Sequence, residues 1–200
     1  MAKDATQPKA TGPRARLAAI DWINAALDIM VEQSVEHVRI EPLAARLKIT
    51  KGSFYWHFKD RDALLSAVID HWVDRATLAI IRRVEQQGQT SESRILQLFM
   101  VPFASERSPR GADIELAIRA WSRRSAMARA AIDRVDRLRL AYFQRLFEAA
   151  GFAEAEAIVR AYAAYSFMLS AAYIKSDDKG VPAGASKMLH QLLLRPVTTP

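Results

Sequence analysis

Apolar residues recur three and four positions apart along most of this chain, and no stretch keeps the two-residue rhythm of a strand. Ile20, Ile23, Leu27 and Met30 form a stripe on a helix over residues 16–33, with Asp21, Asp28 and Glu32 off it. Ile40, Leu43, Ala44 and Leu47 repeat the pattern over a shorter helix. Lys48-Ile49 breaks it, and Thr50 offers a hydroxyl to cap the next turn. Phe54 and Phe58, four apart, share a helix face, while Lys51, Ser53, Tyr55 and His57 point elsewhere. Asp60 can cap a helix running to about residue 83, with Leu64, Val68, Trp72 and Leu78 on its stripe.

The polar break at residues 86–91 gives Ser91 as the next cap, before Ile95, Leu98, Phe99 and Val101. Pro102 sits inside that pattern and should kink or end the helix, because it removes an i→i−4 bond. After a loop over residues 105–111 come a helix to Ser122, a break near Ser125, and a long helix stopped by Gly151. Residues 154–173 are apolar almost all round, so burial on several sides is expected, and their many Ala and Ser residues permit close approach. A loop over residues 177–182 precedes a last amphipathic helix carrying Met188, Leu189, Leu192 and Leu193. The expectation is an all-α chain of about nine helices.

Two short helices joined by a tight break form a helix-turn-helix, whose second helix enters the major groove. The chain here resembles the TetR (tetracycline repressor) family of bacterial transcriptional regulators. The likeness is carried by residues 23–31, by Leu43-Ala44-Ala45-Arg46-Leu47, by Ile49-Thr50-Lys51-Gly52-Ser53-Phe54-Tyr55-Trp56-His57-Phe58, and by Lys59-Asp60-Arg61-Asp62-Ala63-Leu64-Leu65. It is strong over the first 70 or so residues and an outline beyond them. Three positions depart from the family pattern: Ser34 and Lys48 stand where glycine is usual, and Arg39 where threonine commonly caps. A non-glycine residue in a left-handed turn costs roughly 1 kcal/mol.

The resemblance implies an N-terminal helix-turn-helix three-helix module and a larger helical regulatory body. Residues 1–14 would be a flexible arm, residues 15–61 the DNA-binding domain, and residues 62–200 the effector-binding and dimerisation domain. Lys51, Ser53, Tyr55 and His57 match positions that touch bases and phosphates, with Thr50 at the head of the helix and Gly52 allowing close approach. Trp56 is expected to pack and make one phosphate contact, and Arg61 to clamp the DNA backbone. The two C-terminal helices would pair with their twofold mates, and a small effector would sit in the body. Phe99, Phe103, Trp121, Phe143, Phe147, Tyr165 and Met168 are the pocket candidates, as pockets favour aromatic and adaptable side chains.

The expected function is a ligand-responsive regulator, usually a repressor, binding a near-palindromic operator as a homodimer. The alternatives are a regulator or nucleoid-associated protein without an effector, and an all-helical enzyme or binding domain with a vestigial helix-turn-helix.

Charge adds less than the net +7 promises. Residues 1–60 carry nine Lys/Arg against seven Asp/Glu, whereas residues 106–145 carry ten against five. The excess lies away from the reading helix, so the motif carries the DNA expectation. The arginines between 119 and 145 could greet an anionic effector, but a solvated face salt-bridged to Asp133 and Asp136 is the commoner outcome for a charge run. With no cysteine there is no disulfide, thiolate metal site or cysteine nucleophile. His37, His57, His71 and His190 fall in no metal-ligand spacing, and no phosphate loop or nucleophile elbow is present. No cofactor, metal or catalysis is expected. With no signal-peptide pattern and no apolar run long enough to span a bilayer, the expected location is the cytoplasm.

Overall fold

A computed structural model describes residues 17–103, 110–174 and 184–196, leaving out the side chains of residues 103, 172 and 173. The arm expected over residues 1–14, most of the loop over 105–111 and the loop over 177–182 lie outside the described residues. Helices α1 (Ala19–Glu32), α2 (Ile40–Leu47) and α3 (Lys51–Phe54) form the N-terminal module. Helix α4 (Arg61–Val73) runs through a π turn (Asp74–Leu78) into α5 (Ala79–Gln87). The body adds α6 (Ser91–Met100), α7 (Gly111–Ser122), α8 (Ala126–Ala149), α9 (Glu154–Tyr173) and α10 (Ala185–Leu193). Counting α4 and α5 as one bent rod gives nine helices among the described residues, none of them joined by a strand.

Several ends are set by local chemistry. Asp60 caps α4 by accepting the Ala63 N–H at 2.8 Å. Thr90, not Ser91, caps α6, its hydroxyl accepting from Ser93 N at 3.2 Å. The backbone at Thr90 is still extended, so Ser91 is already the first helical residue. Pro102 ends α6, and the chain continues as a single 3-10 turn (Val101–Phe103). Gly151 stops the descent of α8 at φ 99°, where a Cβ would be strained.

Two cores form. The first joins α1–α4 to α7 and the start of α8 around Trp22, Phe54, Leu64 and Val68. Trp22 meets Phe54 edge-on, with ring centroids 5.3 Å apart, and Ile20 consequently stays exposed instead of lying on the buried stripe. The second joins α5, α6, α8 and α9 around Phe99, Phe143, Leu146 and Phe147. Helix α9 is not buried on several sides: Ile158, Val159 and Tyr162 lie exposed along one face, as do Met188 and Leu192 on α10. Small residues on the inner face, Ala157, Ala161 and Ala164, press α9 onto α8.

Candidate nucleic-acid interface

The turn between α2 and α3 is built at Lys48, which adopts φ 56° and ψ 43°, the left-handed conformation expected of a glycine. Ser34 differs: its φ of 173° is ordinary extended backbone, and α1 ends without a left-handed residue. Arg39 holds the cap position of α2 with no side-chain cap bond, and its Nε instead donates to the Glu36 carbonyl at 3.2 Å. Thr50 is the N-cap of α3 by backbone geometry, but its hydroxyl takes up no backbone N–H. The four-residue α3 is held by its buried side instead. Phe54 is wholly buried between Trp22 and Phe58, and the Phe58 N–H donates to the Phe54 carbonyl at 3.0 Å after the regular helix has ended.

The opposite side faces outward. Tyr55 is 61% and Trp56 82% exposed, Lys51 and Gly52 are exposed, and Ser53 and His57 are half-buried. Trp56 therefore does not pack as expected, its indole standing in the open beside Tyr55. Lys51 Nζ pairs with Glu41 at 2.8 Å, two exposed groups that water screens and that a phosphate could part. A Cβ on Gly52 would meet only the Thr50 hydroxyl, at 3.8 Å, so the fold itself sets no steric need for glycine there.

Arg61 is placed differently from a free phosphate clamp. Its Nε donates to the Val38 carbonyl at 2.6 Å and one Nη to the Val35 carbonyl at 2.7 Å. The guanidinium thus ties the start of α4 to the 3-10 turn (Val35–His37) ahead of α2. Arg46 makes a second tie, to Glu32 at 2.7 Å and Asp28 at 3.3 Å on α1, while Arg110 and Arg124 reach from the body to Asp28 and Glu36.

In the body, the pocket candidates separate. Phe99, Phe143, Phe147 and Tyr165 are buried in the second core, with Met168 packed against it. Trp121 belongs to the first core and lines a cleft of about 280 Å³ beside the end of α1. The Phe103 side chain lies outside the described residues.

The arginine run also splits. Arg123, Arg124, Arg129, Arg134, Arg137 and Arg145 are exposed, but Arg119 and Arg139 are drawn inward and do not belong to a solvated face. Glu115 accepts from Arg139 at 2.8 and 3.0 Å and from Arg119 at 2.8 Å. Asp136 accepts from Arg119 at 2.6 Å and from the Tyr165 hydroxyl at 2.6 Å. Burial alone would raise the Glu115 carboxyl, but the two guanidiniums outweigh it and hold the group below its ordinary range. Asp136 is lowered against its own burial in the same way by Arg119 and the Tyr165 hydroxyl. Periodicity missed this cluster because its members come from three helices, α7, α8 and α9. The Glu115/Arg119 spacing of four was the available signal.

With this geometry in view, comparison with known proteins is direct. The profile of the bacterial regulatory proteins of the tetR family matches residues 23–68, which run from within α1 through α2 and α3 into α4. Over these residues the chain is similar to the TetR family. The transcriptional repressor Rv3405c of Mycobacterium tuberculosis is 29% identical over 118 residues, a match covering 54% of this chain and 62% of the repressor. The chain thus aligns with less than two thirds of its curated relative. The regulator FadR from Bacillus subtilis, solved with stearoyl-CoA, shares the fold at TM-score 0.67 and 12% identity, over 88% of this chain and 98% of FadR. AibR, solved with isovaleryl coenzyme A and operator DNA, shares it at TM-score 0.64 and 14% identity, over 90% of this chain and 96% of AibR. Among the described residues, no helix is long and apolar enough to cross a membrane, and no group of three or more acidic and histidine side chains could hold a metal ion.

Proposed function

We propose that this protein is a ligand-responsive transcriptional regulator, a repressor that binds a near-palindromic operator as a homodimer in the cytoplasm. Its main support is the division of residues 50–58 into a sealed aromatic side and an outward side bearing Lys51, Gly52, Ser53, Tyr55, Trp56 and His57. The outward side chains suit both jobs that such an interface needs. Lys51 neutralises phosphate once freed from Glu41, and Tyr55 and His57 offer hydrogen bonds and apolar contact to base edges. Thr50 keeps its hydroxyl free of the cap bond and so available to a phosphate oxygen. Residues 15–61 serve as the reading domain and residues 62–200 as the regulatory and dimerising one.

Dimerisation is supported by the exposed stripe of α9, with Ile158, Val159 and Tyr162, and by Met188 and Leu192 on α10. An apolar face continuous over two helices favours a self-complementary twofold contact. Such a dimer presents two reading faces to successive major grooves, about 34 Å apart. An effector is supported by the acyl-CoA complexes of FadR and AibR, proteins of the same fold. Within the body, Tyr165 is the pocket candidate whose hydroxyl meets charged groups, beside an open cleft.

The test is fluorescence anisotropy of DNA from the chain's own upstream region, titrated with salt. Sequence-selective binding that weakens steeply with salt is expected. Tyr55→Ala and His57→Ala should each weaken it by about 1–3 kcal/mol without lowering the melting temperature. Unaltered binding by both variants would remove this docking.

A further inference from the structure

An open cleft of about 590 Å³ between α7 and α8 is lined by Arg119, Arg123, Arg129, Ile132 and Asp133, together with Asp136. Arg119 and Asp136 are committed to each other and to the buried cluster. The guanidiniums of Arg123 and Arg129 have no partner among the described residues, and neither does the carboxylate of Asp133. Two free positive charges thus face one free negative charge, with a methyl-bearing wall at Ile132.

The floor of the cleft leads to the connecting helix. Arg119 shares Glu115 with Arg139. Arg139 in turn donates from Nε to the Thr77 hydroxyl at 3.1 Å and from Nη2 to the Ala76 carbonyl at 3.0 Å. Both acceptors lie in the π turn, where the helical ladder carries one extra residue and is out of phase. Arg139 therefore holds the irregular turn that joins α4, and so the reading module, to the body.

Resting on the ligand-responsive reading above, we propose that this cleft takes a small organic carboxylate. Arg123 and Arg129 bind its charge, Ile132 meets its apolar part, and Arg119, Glu115 and Arg139 report its presence to the π turn. A carboxylate seated beside Arg119 competes with Glu115 and Asp136 for that guanidinium. Glu115, left with less of Arg119, draws harder on Arg139, and the hold on Thr77 and Ala76 loosens. The π turn is then free to re-phase α4 against α5 and alter the presentation of α3.

Isothermal titration calorimetry of the full chain with benzoate, at ionic strength fixed by sodium chloride, tests the site. Saturable binding is expected, weakened at least about tenfold in the Arg123→Ser/Arg129→Ser double variant, since charge-assisted contacts are lost. Both side chains are exposed, so the double variant should melt as the parent does. Absence of saturable binding, equal binding by the double variant, or tighter binding of choline than of benzoate overturns the site. Inorganic phosphate binding as tightly as benzoate overturns the organic part of the assignment.

The relay is tested by benzoate-driven release of upstream DNA, followed by anisotropy. Thr77→Val removes the hydroxyl under Arg139 while keeping its shape. It should bind benzoate like the parent by calorimetry yet release DNA less readily. Release equal to the parent's overturns the relay. If the parent binds no DNA at all, the regulator reading fails while calorimetry still decides the site.

Discussion

Replacing Arg61 by alanine separates two roles that one arginine at the head of α4 could hold. Its two donors bind the carbonyls of Val38 and Val35 at 2.6 and 2.7 Å, on residues that are themselves buried. The Val35 carbonyl also accepts the Val38 N–H at 3.1 Å, so it would keep a partner. The Val38 carbonyl would lose the one bond it has among the described residues. A hydrogen bond to a charged donor contributes about 1.5–3 kcal/mol, and a carbonyl left without a partner costs about 1–3 kcal/mol. Discounting for the partial exposure of Arg61, a net loss of about 2–3 kcal/mol follows. For a chain of this length that lowers the melting temperature by roughly 5–10 °C. Differential scanning calorimetry at fixed protein concentration measures it, beside anisotropy of the same sample on DNA. Arg61→Lys should recover little, because one ammonium cannot span both carbonyls with the planar fork. A melting temperature within a degree or so of the parent's, with a shallower salt dependence of DNA binding, would refute the structural role and restore Arg61 as a phosphate contact.

Three further outcomes are expected. Lys48→Gly relieves the left-handed strain but loosens the unfolded chain, so a net gain of about 0.5–1 kcal/mol should appear as a higher melting temperature. Glu115 and Asp136 have folded pKa values below their ordinary 4.5 and 3.8, so the stability they confer is complete above those values and is lost as pH falls through the lowered ones. Thermal melts should therefore be insensitive to this cluster from neutral pH down to about 5, then fall in acid, and Asp136→Asn should flatten part of that acid limb. Val159→Arg places a charge in the exposed stripe of α9, and sedimentation should then show monomer at concentrations where the parent is a dimer. A parent that sediments as a monomer at micromolar concentration ends the dimer proposal.

Much of the N-terminal module was legible because its signals are local. The stripe of α2, the Asp60 cap and the Phe54/Phe58 pair each involve residues within four positions, and each is present in the structure. Lys48 was legible as a strained residue only through the resemblance, which places glycine there, and the same resemblance pointed to Ser34, whose backbone is ordinary. Ile20 was misplaced on the buried stripe because Trp22, which is buried in its stead, has its partner, Phe54, 32 positions away. The backbone tie made by Arg61 was hidden for a similar reason. Its acceptors are backbone carbonyls, which carry no mark in the sequence.

In the body the same limit decides more. Whether a guanidinium is solvated or drawn inward depends on which carboxylates the packing of α7, α8 and α9 brings within reach. Arg139 and Arg137 are indistinguishable as sequence, yet one is clamped between Glu115 and the π turn and the other stands in water. The π turn itself needs a cause beyond local propensity, because residues 74–78, DRATL, would sit comfortably in an α-helix. Arg139 bonds the Ala76 carbonyl and the buried Thr77 hydroxyl inside that turn, which gives the irregular ladder partners from another helix. An irregular turn held by a charge from another helix is conditional on that charge keeping its partners, and Glu115 ties those partners to the floor of an open cleft. A charged solute in the cleft would therefore act on this turn more directly than an apolar one wedged into the packed aromatic core.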